Sequence, residues 1–262
     1  MSFESFKDNN LTKYTFNKIY KKSKVVLETE KYLIHRRVKS NYSFADNYLE
    51  IKEIPQTEGE LQYYIDACKE FFRDKGISFV HLALPEKKDI SNKLQKFLKK
   101  KGYNQHEFIL YLLDSKNCEI REETIYDISL LEKQDFQKYI DFNYKIDLEY
   151  TNKTFADENK NLAYEILRDD DVYQLVAKDK DNLIATVNVI VKSEYIEISN
   201  LYVEKEYRQK NIASSLLKFA IKKFKKKYVI LIADFYDTPK YMYEKMGFKE
   251  VSSKKYFIKT VL

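Results

Sequence analysis

The stretch ISNLYVEKEYRQKNIASSLLKFAIKKF, Ile198–Phe224, decides how this 262-residue chain folds. It opens as an apolar strand through Leu201 and Val203 and crosses a charged turn from Glu204 to Asn211. It then continues with Ile212, Leu216, Leu217, Ala220 and Phe224 at helical spacing. The run YVILIAD, Tyr228–Asp234, follows with the character of a buried strand. A strand, a helix and a second strand make a βαβ unit, which predicts parallel strands joined by a right-handed crossover. Chemistry is expected at the turn. The first N–H groups of a helix lack carbonyl partners and carry partial positive charge, so main chain alone can hold a phosphate there. Arg208 and Lys210 add charge beside those donors.

Arg208-Gln-Lys-Asn211-Ile212-Ala213 resembles the Q/R-x-x-G-x-G/A loop of the GNAT superfamily, the acyl-CoA-dependent N-acyltransferases, in which that loop holds the pyrophosphate of coenzyme A. Leu201-Tyr202-Val203 stands where the family has its pantetheine-pairing strand. Met242-Tyr243-Glu244-Lys245-Met246-Gly247-Phe248 is similar to the family's L-Y-x-K-x-G-F helix end. Three features in the family's order, within residues 118–262, carry more weight than any one alone. The resemblance implies an α/β fold of mixed α+β type, a central mixed sheet flanked by helices. It implies acetyl-CoA as cosubstrate, with Leu201, Val203, Arg208, Lys210, Asn211, Ile212 and Ala213 as its binding residues, and a primary amine on a small molecule or peptide as acceptor. The chain departs from the family at Asn211, where a glycine is usual; asparagine is among the non-glycine residues most tolerant of positive φ. It departs again at Tyr236-Asp237-Thr238-Pro239, where the family often has an asparagine. Thr238 and Pro239 still make a good N-cap and first turn.

An amine attacks a thioester only as its free base, so a proton acceptor near neutral pH is useful. Glu197 lies eleven residues before Arg208, where some GNAT enzymes place a general-base glutamate. The alternative is a solvated strand residue, with Glu194 as a nearby competitor. Tyr243 matches the tyrosine that many members use to protonate the departing thiolate; the alternative is one packed aromatic in a chain with 23 tyrosines. The three histidines, His35, His81 and His106, all lie in the first half. Neither a metal site nor a histidine-activated nucleophile is expected, and the amine is read as attacking directly.

Composition sets outer limits. A hydrophobic fraction of 44% supports a real core, no run of 18 apolar residues exists, and the opening MSFESFKDNN lacks a signal-peptide pattern. A cytoplasmic protein without a membrane partner is expected, monomeric or homodimeric. Cys68 and Cys118 have no metal or redox spacing and read as free thiols. The net charge of +6 sits in residues 1–118, but no nucleic-acid-binding motif accompanies it, so no nucleic-acid partner is expected.

Taken in order, residues 1–22 give a weakly helical or irregular lead. Strands follow at 24–38, with a turn near 28–31, and at 47–54. A helix at 57–75 has a Thr57/Glu60 capping box and stops at Gly76. A strand at 78–84, a helix at 89–101 closed by Gly102 and a strand at 106–114 complete the first half. The second half reads as a strand at 118–126, helices at 131–150 and 155–168, strands at 171–178, 182–192 and 195–203, and then the βαβ unit. Strand, helix, strand, helix, Gly-aromatic, strand occurs twice, with Lys101-Gly102-Tyr103 paralleling Met246-Gly247-Phe248. The expected organisation is tandem: residues 1–116 as a smaller degenerate GNAT-like α/β domain and residues 117–262 as the GNAT acetyltransferase domain. The first copy lacks a basic turn and has Leu98 in the place of Tyr243. A non-catalytic CoA-binding or scaffold protein on the same fold is the alternative function.

Overall fold

The computed structural model of the protein describes residues 13–119, 124–236 and 239–260. Its first half runs β1 (Lys24–Glu28), β2 (Tyr32–Arg36), β3 (Tyr48–Ile51), α1 (Glu58–Phe72), β4 (Phe79–Ala83), α2 (Asn92–Lys100) and β5 (Asn104–Asp114). The second half runs β6 (Asp127–Leu130), α3 (Phe136–Tyr150), α4 (Lys153–Leu167), β7 (Val172–Asp179), β8 (Asn182–Val191), β9 (Tyr195–Val203), α5 (Ile212–Phe224), β10 (Tyr228–Asp234), α6 (Pro239–Lys245) and β11 (Lys249–Thr260). All eleven strands join one mixed sheet in the order β1-β2-β3-β4-β11-β5-β10-β9-β8-β7-β6. The βαβ reading holds: β9 and β10 are parallel, and α5 packs its Ile212, Leu216, Leu217 and Ala220 face into the largest core.

The internal repeat is present in the geometry. β3 pairs parallel to β4 with Leu49 opposite Leu82, and β9 pairs parallel to β10 with Ile198 opposite Leu231; each residue of the second pair lies 149 positions after its counterpart in the first. The helices that follow end alike. Tyr103 N–H donates to Leu98 O and Gly102 N–H to Lys99 O, while Phe248 N–H donates to Tyr243 O and Gly247 N–H to Glu244 O, all at 3.0 Å. These are the paired hydrogen bonds of a Schellman cap, and the glycines supply the left-handed turn at φ 83° and 93°. Leu98 therefore stands in the first half where Tyr243 stands in the second.

A side chain at Gly247 meets two obstacles, the positive φ and the Asn117 carbonyl oxygen, which would lie 2.8 Å from an added Cβ. Gly247→Ala should cost roughly 2–3 kcal/mol of stability, read from urea melts. The same change at Gly102, where the nearest atoms belong to the flexible Lys259 side chain at 3.8 Å, should cost about 1 kcal/mol.

Sequence order does not foretell the middle of the sheet. β5 runs antiparallel to β10 of the second half, and β11 runs antiparallel to β4 of the first. The two closing strands have changed places and pair with each other from Lys249–Leu112 to Ile258–Asn104.

Two layers of helix and loop cover the sheet. One face carries the α5 core beside a first-half core of α1 and α2 residues. The other is covered by α3 and α4 over Val176 and Leu183, and by an extended strap, residues 13–22, whose Tyr14 and Phe16 bury against Leu110, Leu112, Tyr228 and Ile230. Arg37 and Lys39 pair with Glu165, and the Asn41 and Tyr42 N–H groups donate to Glu158, so the loop after β2 is fastened to α4.

Two expectations are corrected, and the irregular lead is seen from residue 13 on. The strand expected over 118–126 forms at Asp127–Leu130, because Leu130 and Ile128 are the residues that reach the β7 ladder; residues 120–123 lie outside the described residues. The helix expected from Leu131 starts at Phe136, since Lys133–Asp135 form a tighter 3₁₀ turn. The described part of the lead, from residue 13, has only one 3₁₀ turn, Phe16–Lys18; residues 1–12 lie outside the described residues, as does Thr238. No helix among the described residues is long and apolar enough to cross a membrane.

Candidate active site

The βαβ unit opens at its end. The β9–β10 ladder runs from Tyr195–Tyr228 to Ile198–Leu231 and stops there. Beyond it β10 stays with β5 through Asp234, whereas β9 stays with β8 through Val203. A register shift on β8 between Thr186 and Asn188 accompanies the parting, and on β9 Asn200 has a positive φ of 51°. The main chain of Ser199–Val203 thus lines a wedge between two parallel strands. Leu201 and Val203 turn their side chains into the α5 core, as expected of strand residues that offer backbone on their free edge.

Above the wedge, a 3₁₀ turn at Lys205–Tyr207 and an extended Arg208 lead to Gln209 and Asn211, both left-handed at φ 61° and 59°. Asn211 adopts the conformation for which glycine is usual, and it is the N-cap of α5. Ile212 is buried and anchors the first turn, Ala213 is half-buried, and Ser215 Oγ accepts the Thr124 N–H at 2.9 Å. The opening N–H groups of α5 have no helical carbonyl below them. The two basic side chains are aimed sideways. Arg208 Nε donates to Val203 O at 3.1 Å and its guanidinium reaches Tyr150 Oη at 3.3 Å, 5.8 Å from the Tyr202 ring. Lys210 Nζ reaches Tyr126 Oη at 3.4 Å and lies 4.8 Å from the Tyr207 ring. The cradle is therefore a main-chain feature with positive charge at its rim, and the Val203 carbonyl is already engaged.

Tyr243 and Glu197 lie on opposite faces of the sheet. Strand alternation puts Ile196 and Ile198 in the α5 core with Tyr243, so Glu197 between them projects to the other face. Tyr243 is 7% exposed and packs its ring against Tyr111 and Phe248 at centroid distances of 6.1 and 5.7 Å. Glu197 is 5% exposed, not a solvated strand residue, and its Oε2 accepts the Tyr20 N–H at 2.7 Å. Burial pushes its carboxyl up to about 7, against the smaller opposing pull of that hydrogen bond and of Lys192. Glu194, the competitor, is exposed and paired with Lys13.

Two groups beside Glu197 escaped the sequence reading. Asn188 lies opposite Ser199, next to the wedge, and its Oδ1 accepts the Tyr139 hydroxyl at 2.9 Å. A polar residue inside the apolar run LIATVNVIV was the available signal. Tyr20 carried none, because the residue it serves is 177 positions away.

Residues 137–259 match the family model described as an acetyltransferase (GNAT) domain. Residues 137–259 form a GNAT domain. Residues 14–111 match a different family model, a domain of unknown function, DUF5613. No curated protein matches the chain. Among solved structures, a functionally unknown conserved protein from Staphylococcus epidermidis ATCC 12228 is 22% identical, with a TM-score of 0.87, over 96% of this chain and 100% of its own. GCN5-related N-acetyltransferases from Sphaerobacter thermophilus and Kribbella flavida are 12% and 11% identical, with TM-scores of 0.58 and 0.54. Each alignment covers 90% of this chain, and 82% and 88% of the respective relatives. At these identities the likeness is one of fold, and it extends through the half outside the GNAT match.

Proposed function

We propose that the protein is an acetyl-CoA-dependent N-acetyltransferase that moves an acetyl group to a primary amine by direct attack. What supports the reading is the parting of the parallel strands β9 and β10 just before the left-handed turn that opens α5, with a buried carboxyl on one face of β9 and a buried phenol in the core on the other. The α5 N–H groups, with Asn211, Ile212 and Ala213 in the first turn, suit a diphosphate, and Arg208 and Lys210 supply charge at its rim. The open edge of Leu201–Val203 suits the amide-bearing arm of the cosubstrate, which brings the activated acetyl thioester. Holding amine and thioester in one wedge supplies much of the rate. Glu197 takes up the proton the amine sheds, directly or through a water, and Tyr243 gives one to the departing sulfur. In the same proposal residues 117–262 are the catalytic domain. Residues 1–116 are a degenerate copy that packs on it and shapes the acceptor side. Cys68, buried with its thiol pushed up to about 12, and Cys118 are free thiols, which fits a cytoplasmic location.

A second reading, a CoA-binding protein whose chemistry has lapsed, draws on the engagement of Arg208 with Tyr150 and of Lys210 with Tyr126. Thermal-shift titration with acetyl-CoA followed by an amine and peptide screen for thiol release separates the two. A raised melting temperature with thiol release supports the enzyme. A raised melting temperature without release from any amine supports the second reading, and no shift removes both.

A further inference from the structure

The group with the sharpest unused geometry lies in the first half. The strap of residues 13–22 crosses the sheet and reaches Glu197 from 177 positions away. Its other attachments fasten it on either side of that bond. Lys18 O accepts the Tyr195 hydroxyl at 2.8 Å, the Tyr20 hydroxyl bonds Asp169, and Tyr14 meets Tyr195 and Tyr228 edge to face at 5.7 and 5.2 Å. Among the described residues, Lys192 and Tyr195 interact with Glu197. Lys192, just past the end of β8, pairs with Asp171 and lies 5.8 Å from the Tyr20 ring; β9 brings Tyr195; Asp169, after α4, is held by the Tyr20 hydroxyl. Opposite Glu197 on its two neighbouring strands stand Ile190 and Ile230, which offer nothing to a charge. The strap therefore does two opposing things to one carboxyl: it keeps water away and it supplies one aimed N–H.

We propose that this strap is a working part of the second half's active site, with Tyr20 as the positioning residue that holds the Glu197 carboxylate through its main-chain N–H. The proposal rests on the base role assigned to Glu197. It gives the first half a task that packing alone does not require: the acceptor-side base of one half is finished by backbone from the other. A hydrogen bond to the ionised form favours ionisation, so removing the donor leaves a buried carboxylate that holds its proton to higher pH.

The test is the acid limb of the kcat/KM profile, measured with acetyl-CoA and the best amine from the screen. Tyr20→Pro deletes the N–H, and the preceding Ile19, at φ −68° and ψ 135°, already has the backbone a proline requires before it. Its limb should move up by about one pH unit, whereas Tyr20→Phe, which keeps the N–H and loses the bond to Asp169, should follow the parent. A Tyr20→Pro limb that coincides with the parent, while Glu197→Gln loses the limb, overturns the strap proposal and leaves the base intact. A limb that survives Glu197→Gln overturns both. If Tyr20→Pro does not fold, the parent protein supplies the answer: the Tyr20 amide proton resonance should titrate with the midpoint of the limb, and an amide that ignores pH through that range overturns the proposal.

Discussion

Glu197→Gln is expected to give a protein that is more stable and far less active. In the folded chain this carboxyl keeps its proton to about pH 7, whereas in the unfolded chain it ionises near 4.5. Between those values the native state binds the proton and the unfolded state does not. The stability this group contributes is therefore greatest below pH 4.5 and is lost as pH rises to 7. A gap of about 2.5 pH units corresponds to roughly 3–4 kcal/mol as an upper bound at 1.36 kcal/mol per unit. Glutamine cannot ionise, and its carbonyl can still accept the Tyr20 N–H. Urea melts at pH 4 and pH 8 should show parent and variant nearly alike at the lower pH and the variant ahead at the higher. Turnover should fall by roughly 10²- to 10⁴-fold, the usual worth of a positioned base. A variant that gains no stability at pH 8 would deny the carboxyl its raised proton affinity. One that keeps full turnover would deny it the base role.

Tyr243→Phe should separate binding from chemistry. The ring sits in the core against Tyr111 and Phe248, and Phe preserves its shape, so folding and acetyl-CoA affinity should hardly change. Loss of the proton donor to sulfur should lower kcat by about 10- to 100-fold, the lower part of the range for general acids because a thiolate leaves without much help. Calorimetry with acetyl-CoA and single-turnover rates together decide the matter. Equal turnover in the variant would leave Tyr243 as a packed aromatic.

Much of this was legible in the chain. Ile196, Glu197, Ile198 and Ser199 alternate as a strand must, so both the span of β9 and the separation of Glu197 from the α5 core follow from period two. The left-handed turn at Asn211 follows from a residue type tolerant of positive φ placed before an amphipathic helix. The start of α3 was not legible, because Leu131 has the right spacing for the helix but its N–H donates to Gln174 O beside β7. The place of β5 was also hidden. The run FILYLL, Phe108–Leu113, suits any central strand, and nothing in it says that β10 rather than β4 will lie alongside. Tyr20 at the carboxyl of Glu197 belongs to the same class of facts, created by docking between distant segments and absent from any local window.

The trade of β5 and β11 across the centre makes each half the keeper of the other's inheritance. A lineage that discarded the leading half would leave Tyr228, Ile230 and Leu231 of β10 with a bare edge, so the second half cannot stand alone without recruiting a replacement strand. The first half is retained by architecture, whatever else it does.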